Sequence, residues 1–216
     1  MKTITKVLLP AALILLAADL YAIFALTPTE ASGIIQKIFY VHVPCAFAMY
    51  LGLAIGFVFS VAYLWKRKDK FDMIAYSGVE VGFVFACCVL VSGPIWAKGA
   101  WGKFWDFDPR LTATLIVWFI YFSYLVLRNY YSSTAKGKIF CAIIATIGFI
   151  DVPIIHYSVR MWRGIHPKVI SKGGGGIPDS MLHTLMFSGA VFIVIFAYIF
   201  TLKLGKEFKK AKTIGD

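Results

Sequence analysis

The chain has 216 residues, of which 60% are hydrophobic and only 15% are charged. This composition excludes an ordinary soluble domain, in which about a quarter of the residues are charged. The formal net charge of +11 in so apolar a chain indicates loops on the cytoplasmic side and contacts with anionic lipid, and not a nucleic-acid partner. We therefore expect a single domain, residues 1–216, embedded in a lipid bilayer.

Several apolar runs have the length of about 20 residues that an α-helix needs to cross a bilayer. They predict an all-α membrane protein, a bundle of six transmembrane helices. The first run follows Lys2 and Lys6, as in a signal peptide, but it is long and no convincing cleavage site follows it, so we interpret it as an uncleaved first helix. In chain order, the predicted helices cover residues 7–26, 38–65, 73–96, 111–127, 139–157 and 181–204.

The segments that connect these runs alternate in charge. Most of the 22 lysines and arginines lie in the two tails and in residues 66–72 and 128–138. Since cytoplasmic loops carry the excess of positive charge, both termini are predicted to be cytoplasmic. Residues 101–112 and 158–180 are then on the outer side of the membrane.

Residues 101–112 are rich in aromatic side chains, although loops are normally polar. Flat rings beside cations suit a large, flat, partly apolar and anionic ligand, and haem, with its porphyrin face and two propionates, fits that description. An aromatic belt at the lipid headgroups is the alternative, since such belts are common beside transmembrane helices. The side chains concerned are Trp101, Phe104, Trp105 and Phe107, with the cations Lys103 and Arg110.

The four histidines are candidate ligands of haem iron, because all are predicted to lie at or beyond the outer ends of helices. His42 is expected about one turn inside the second helix, with Pro44 in the first turn, where the missing N–H of proline costs nothing. His166 follows the fifth helix. If that helix continues past Tyr157, Trp162 and His166 share one face. Imidazoles from two separate segments can bind haem iron from opposite faces.

The residues alone leave the choice of the second ligand open. His166, which precedes a proline, is also well explained as a solvated loop residue. His156, at the end of the predicted fifth helix, either takes the place of His166 or holds the loop by a hydrogen bond. His183 is interpreted as an interfacial polar residue at the start of the sixth helix.

The acids Asp19 and Glu80 lie inside apolar runs, where a carboxyl group is costly and usually faces the interior of a bundle. They either mark a path for a proton or a ligand or make polar contacts between helices, and we favour the contacts. The sequence contains no recognisable nucleophile–base set, no phosphate-binding loop and no C-x-x-C-H motif for covalent attachment of haem. These observations predict a binding protein and not an enzyme.

A tryptophan-rich motif follows the third helix and reads Trp101-Gly102-x-x-Trp105-x-x-Asp108-x-Arg110-Leu111-Thr112. It resembles the WWD signature of the haem-handling proteins of cytochrome c biogenesis. Residues 40–44 resemble the first histidine segment of one branch of that family, and residues 153–159 with Trp162 and His166 resemble the second. That branch comprises the C components of cytochrome c maturation system I, also called haem exporter protein C. The resemblance covers roughly residues 35–200, and its three motifs occur in the right order, which makes it specific.

The resemblance implies a protein of the bacterial inner membrane that holds haem b, without a covalent bond, at the periplasmic face. It implies transfer of that haem to a periplasmic haem chaperone, the E component. It also implies an ABC transporter complex with an ATPase subunit, its membrane partner and a small subunit, the A, B and D components, so that a partner hydrolyses the ATP. By the resemblance, His42 and His166 match the axial ligands of the iron, and Trp101, Trp105 and Asp108 belong to the signature.

The chain departs from the family pattern at Phe104 and Phe107, where tryptophan is usual. Phenyl rings keep the flat apolar face but lack the indole N–H donor. Two other functions stay open as alternatives. A b-type membrane cytochrome for electron transfer is expected to bury its histidine pair within the helices. A small-molecule transporter needs a polar path through the bundle, for which the sequence offers only Asp19 and Glu80.

Overall fold

The computed structural model describes residues 2–29, 33–131, 134–162 and 177–215, and within these ranges the chain is helical without strands. Six stretches are long and apolar enough to cross a membrane, which confirms the prediction of an all-α bundle of six spans. Between α1 and α2, a π-helical turn covers Ala22–Leu26 and a 3-10 helix covers Gly33–Ile38. The α-helices are α1 (Lys2–Tyr21), α2 (Phe39–Lys66), α3 (Asp69–Trp101), α4 (Pro109–Tyr131), α5 (Ala135–Gly148), α6 (Asp151–Met161) and α7 (Asp179–Gly215).

The helices extend beyond the boundaries that hydropathy predicts. Helix α3 begins at Asp69 and not at residue 73, and it ends at Trp101 and not at residue 96. Helix α7 continues past residue 204 to Gly215. An apolar run marks only the part of a helix that fits the lipid, whereas backbone hydrogen bonding continues into polar residues. The carboxylates in the first turn of α3 also favour its early start, because they complement the positive end of the helix dipole.

The fifth predicted span, residues 139–157, is confirmed within Ala135–Ser158, but it is not one continuous helix, because α5 and α6 are separated by a two-residue turn at Phe149–Ile150. At the turn, Val152 N donates to Phe149 O at 3.1 Å, an i to i−3 bond of the 3-10 type. Pro153 follows in the first turn of α6, where the missing proline N–H is not needed. In a continuous helix the same proline would lack the bond to the carbonyl of Phe149.

Helices α2 and α3 form the closest pair in the bundle, and glycines make the approach possible. A Cβ atom added to Gly52 would lie 2.5 Å from the Cα atom of Gly82, and one added to Gly78 would lie 2.9 Å from the Gly52 carbonyl oxygen. No side chain fits at these distances. Close backbone contact of this kind is the usual basis of helix association in membranes, where van der Waals packing replaces the hydrophobic effect.

Asp19 and Glu80 both make contacts between helices, as the favoured interpretation predicts. Asp19 Oδ1 on α1 accepts a hydrogen bond of 2.7 Å from Ser188 Oγ on α7, and both residues are buried. Glu80 on α3 forms an ion pair with Lys203 on α7. These contacts dock α7 against α1 and α3.

A group of charged side chains surrounds Tyr76 at the end of the bundle where α3 begins. Both guanidinium NH2 groups of Arg128 on α4 donate to the carboxylate of Asp72, and the pair is buried. Arg128 Cζ lies 4.6 Å from the centroid of the Tyr76 ring, and Lys203 Nζ lies 4.3 Å from it. Arg128, which the sequence analysis placed in a basic loop, is therefore part of helix α4 and joins it to α3. We call this end of the bundle the basic end and the opposite one, where α3 ends, the aromatic end.

Candidate functional site

The imidazole of His42 lies against α3 at the aromatic end. Its Nδ1 atom is 2.9 Å from Ser92 Oγ. A Cβ atom added to Gly93 would lie 3.1 Å from His42 Cε1. The absence of a side chain at Gly93 therefore makes room for the imidazole ring. Among the described residues, Nε2 of His42 has no hydrogen-bond partner. One ring nitrogen is thus held and the other is available to a ligand.

His42 lies deeper in the membrane span than the sequence analysis predicts. The 3-10 helix Gly33–Ile38 belongs to the same span as α2, so His42 is preceded by more than one helical turn. Ile35, in the 3-10 helix, packs at the level of Gly99 on α3, since a Cβ atom added to Gly99 would contact its side chain. His42 packs at the level of Ser92 and Gly93, which lie farther from the end of α3. At 1.5 Å per residue of α3, the ring lies roughly 10 Å below the level of Gly99.

The sequence suggested that Pro44 lies in the first turn of a helix, and the structure shows that it does not. Helix α2 begins at Phe39, so Pro44 is in its interior. Proline has no N–H, and the carbonyl of Tyr40 therefore loses its usual α-helical donor. The predicted helix start at residue 38 agrees with the structure to within one residue, so the error was to place Pro44 in the first turn of that helix.

Asp108 begins helix α4 as its N-terminal cap. Its Oδ1 atom accepts a hydrogen bond of 2.9 Å from the backbone N–H of Arg110, and its carbonyl accepts one of 2.9 Å from Thr112 N. Pro109 occupies the first helical position, where its fixed φ is compatible with the helix. An Asp-Pro pair before an apolar run is a sequence signal for a helix start, and it marks the boundary that hydropathy placed at residue 111.

The side chain of Arg110 joins α4 to α6. Its Nε atom donates to Ile155 O and its Nη2 atom to His156 O, each at 3.3 Å. The guanidinium also lies within electrostatic range of the His42 ring. The structure therefore brings together two predicted site residues that are separated by most of α2 and all of α3.

The aromatic residues of the predicted loop have different environments. Trp101 is the last residue of α3 and not a loop residue, and its ring meets Trp96 edge to face with a centroid distance of 5.1 Å. Phe104 and Phe107 are 59% and 84% exposed, whereas Trp105 is half-buried. Trp96 lies four residues after Ser92 on α3, so these two residues share one helix face. The two indole rings, Trp96 and Trp101, therefore lie between the turn after Ser92 and the end of α3.

Cations accompany these rings, as expected from the sequence. Lys98 Nζ lies 5.4 Å from the centroid of the Phe104 ring and donates to Gly102 O at 2.9 Å. Lys103 pairs with Asp106 at 3.6 Å on the exposed surface. An exposed pair of this kind contributes little and is readily exchanged for another anion.

Two of the other three histidines, His156 and His183, lie in described helices. His166 lies outside the described residues. The ring of His156 is exposed on α6 and meets Tyr157 edge to face, and His183 is exposed near the start of α7. Helix α6 ends at Met161, and Trp162 has an extended backbone, with φ −117° and ψ 148°. Helix α6 thus continues past Tyr157, as this expectation requires, but how Trp162 lies relative to His166 falls outside the described residues.

A comparison with known protein families decides which group this chain belongs to. The family model described as heme exporter protein C matches residues 1–214. The chain belongs to this family. The heme exporter protein C of Haemophilus influenzae is 32% identical over 182 residues, which are 81% of this chain and 72% of the relative. A putative cytochrome c biosynthesis ccmC-like mitochondrial protein of Marchantia polymorpha is 34% identical over 171 residues, which are 77% and 71% of the two chains.

Another relative, the heme exporter protein C of Bradyrhizobium diazoefficiens, is 28% identical over 200 residues, which are 91% of this chain and 76% of the relative. Membership of the heme exporter protein C family confirms the resemblance that the motifs indicated. Together with the six apolar spans, it identifies a multi-pass membrane protein.

Sequence reasoning assigned no role at the site to two residues that lie beside the imidazole of His42, Ser92 and Gly93. Neither belongs to the tryptophan-rich motif, and serine and glycine are ordinary in transmembrane helices. Their relation to His42 depends on the register of α2 against α3. A search for small polar residues at the aromatic end of the third span is the signal in the sequence that points to them.

Proposed function

We propose that this protein handles haem in cytochrome c biogenesis, holding haem b at its aromatic end and passing it to a periplasmic haem chaperone. Membership of the heme exporter protein C family supports the haem-handling role. In this proposal the aromatic end faces the periplasm and the protein resides in the bacterial inner membrane. The protein binds and delivers its cargo and catalyses no reaction of its own.

The observation that carries the proposal is the state of His42. Its Nδ1 atom is bound to Ser92, and its Nε2 atom has no hydrogen-bond partner in the described part of the chain. Neutral imidazole nitrogen is a standard axial ligand of haem iron. The nearby guanidinium of Arg110 supplies positive charge for a propionate, and planar guanidinium groups bind carboxylates well. The residues present therefore fit haem.

The second axial ligand in this proposal is His166, on the family resemblance. His156 is the alternative, and its backbone carbonyl already accepts a hydrogen bond from Arg110.

The aromatic segment is proposed to present the haem to the chaperone. Phe104 and Phe107 carry large exposed apolar surfaces outside the helices, and Lys98 adds a cation beside them. Exposed aromatic rings beside positive charge form a suitable shelf for a porphyrin edge and a docking surface for a soluble protein. The A, B and D components are proposed as membrane partners that couple release to ATP hydrolysis.

The depth of His42 also favours a second function, that of a b-type cytochrome in electron transfer. A ligand inside the helix pair is typical of a haem that stays bound. The two functions differ in what happens when the chaperone is added: a delivery protein loses its haem to the chaperone, whereas a cytochrome retains it.

Replacement of single histidines tests the proposal through the absorption spectrum of the purified protein. His42→Ala and His166→Ala are expected to shift the haem spectrum and block cytochrome c formation, because each removes an axial ligand. His156→Ala is expected to have a smaller effect, and His183→Ala none. A spectrum that shifts in His156→Ala and not in His166→Ala would identify His156 as the second ligand. An unchanged spectrum in His42→Ala contradicts the proposed site.

A further inference from the structure

The hydroxyl group of Ser92 has one hydrogen and two close neighbours. Its Oγ atom lies 2.6 Å from Cys88 O, one turn back on α3, and 2.9 Å from His42 Nδ1. A backbone carbonyl oxygen accepts hydrogen bonds but cannot donate them. Two oxygen atoms 2.6 Å apart therefore require the hydroxyl hydrogen between them. Since that hydrogen is directed to Cys88, Ser92 Oγ accepts the hydrogen bond from His42.

This assignment fixes the tautomer of the histidine. A neutral imidazole has one N–H group. The hydrogen bond to Ser92 places this hydrogen on Nδ1. The lone pair is then on Nε2, which is the nitrogen without a partner among the described residues. The orientation of the ring is fixed as well, because the hydrogen bond holds one side and the backbone of Gly93 lies beside Cε1.

We infer that Ser92 and Gly93 are positioning residues that hold His42 with its Nε2 lone pair ready to bind haem iron. The inference rests on the proposed function and deepens it. An acceptor for the second ring N–H orients a metal-bound histidine and raises its basicity. Loss of such a partner typically lowers metal affinity by about 10–100-fold. Ser92 has this role through His42 and does not itself touch the iron.

Two probes separate positioning of the ligand from general damage to the site. Ferric haem tests the bond between iron and histidine together with the contacts of the porphyrin. Metal-free protoporphyrin IX tests the porphyrin contacts alone. We expect Ser92→Ala to weaken ferric haem binding by about tenfold or more and to leave protoporphyrin binding unchanged. Ser92→Thr keeps a hydroxyl group that can bond to Cys88 O and His42, so it should restore most of the ferric haem affinity.

Ser77→Ala is the matched control, because Ser77 Oγ on the same helix donates to the carbonyl four residues earlier, Met73 O, at 2.8 Å but has no histidine partner. It should bind both probes as the parent does. Gly93→Ala should weaken ferric haem selectively, since its Cβ atom would displace the ring of His42. Equal loss of both probes in Ser92→Ala, or no loss of ferric haem, would overturn the inference.

The tautomer is also measurable without haem. In the haem-free protein with 15N-labelled histidine, the chemical shifts of His42 should show a protonated Nδ1 and an unprotonated Nε2, and Ser92→Ala should shift the ring towards a mixture. Protonation of Nε2 in the parent contradicts the inference whether or not haem binds. A parent protein that binds no ferric haem refutes the proposed function, whereas haem binding that is insensitive to Ser92→Ala refutes only the role of Ser92.

Discussion

Asp108 belongs to the tryptophan-rich signature, and the structure gives it a backbone role. Its carboxylate caps α4, and the cap holds Arg110 in the first turn of that helix. An N-cap of this type contributes on the order of 1 kcal/mol. The first turn must be ordered before the guanidinium can reach the carbonyls of Ile155 and His156. A signature residue can thus serve the site by fixing where a helix begins.

Trp105 tests whether the aromatic segment is a docking surface or only an interfacial belt. We expect Trp105→Ala to reduce both haem retention and capture of the periplasmic chaperone. An aromatic anchor contributes on the order of 1 kcal/mol or more to an interface, so capture should fall roughly fivefold or more. The measurement is co-purification of the chaperone at equal membrane expression.

The control for this variant is Trp65→Ala, which removes an indole that is 83% exposed at the basic end of α2. It should capture the chaperone as the parent does. If Trp105→Ala also captures haem-loaded chaperone at the level of the parent, the aromatic segment is an interfacial belt.

At the scale of single residues, the sequence predicts which side chains carry chemistry but not how they are held. His42 and the aromatic rings are visible as unusual residue types in an apolar chain. Ser92 is not, because its importance comes from contact with a residue 50 positions away. That contact depends on the packing of two helices and leaves no local pattern in the sequence.

The packing of α2 against α3 therefore controls the site from a distance. We expect Gly52→Ala to force the two helices apart, since its Cβ atom would lie 2.5 Å from the Cα atom of Gly82. Overpacking of this kind costs roughly 1–3 kcal/mol. The separation should also lengthen the contact between His42 and Ser92 and weaken ferric haem binding. Thermal unfolding and haem titration measure the two effects.

Gly189→Ala on α7 is the matched control, because a Cβ atom at that position meets nothing within 4 Å. Alanine favours a helix over glycine by up to about 1 kcal/mol, so this variant should be as stable as the parent or slightly more stable. Unchanged stability and haem affinity in Gly52→Ala would show that the two helices pack less closely than the structure indicates.

The ion pair between Arg128 and Asp72 is expected to stabilise the basic end. Removing one partner of a buried pair leaves the other charge uncompensated and costs roughly 3–5 kcal/mol. Arg128→Gln should therefore lower the melting temperature markedly. Lys138→Gln breaks the more exposed pair with Asp69, which contributes about 1 kcal/mol or less. Equal melting temperatures for the two variants would contradict this assignment.

The lengths of the helices show what hydropathy can predict. It locates the six spans, because the lipid selects apolar residues over a fixed thickness. It does not reveal the turn at Phe149–Ile150, since a single acid, Asp151, does not interrupt the apolar run that continues on both sides of the turn. Pro153 is the local sign of that break, and it is recognisable only when the position of proline within a helix is considered.

At the scale of the whole molecule, the orientation in the membrane stays a prediction. The orientation was predicted from the lysines and arginines on the two sides of the membrane, and two of these residues are buried in the bundle. Lys37, from the predicted outer side, donates to the carbonyls of Ile23 and Thr27. Arg128, from the predicted cytoplasmic side, pairs with Asp72. The bias of the remaining lysines and arginines is unchanged, and it places both termini in the cytoplasm.

Reporter fusions measure this orientation directly. A reporter that is active only in the periplasm should be inactive when fused at Ser132 and active when fused at Lys172, two positions outside the described residues. The reverse pattern would place the aromatic end in the cytoplasm, where it could not meet a periplasmic chaperone.

The hydrogen bond between Asp19 and Ser188 joins residues that are 169 positions apart. During synthesis, α1 leaves the ribosome long before α7 does, and its carboxyl group then lies in or near lipid without the hydroxyl group that it binds in the finished protein. A carboxyl group in that environment is costly until a polar partner reaches it. The arrival of Ser188 ends this interval, so the synthesis of α7 completes the docking of α1.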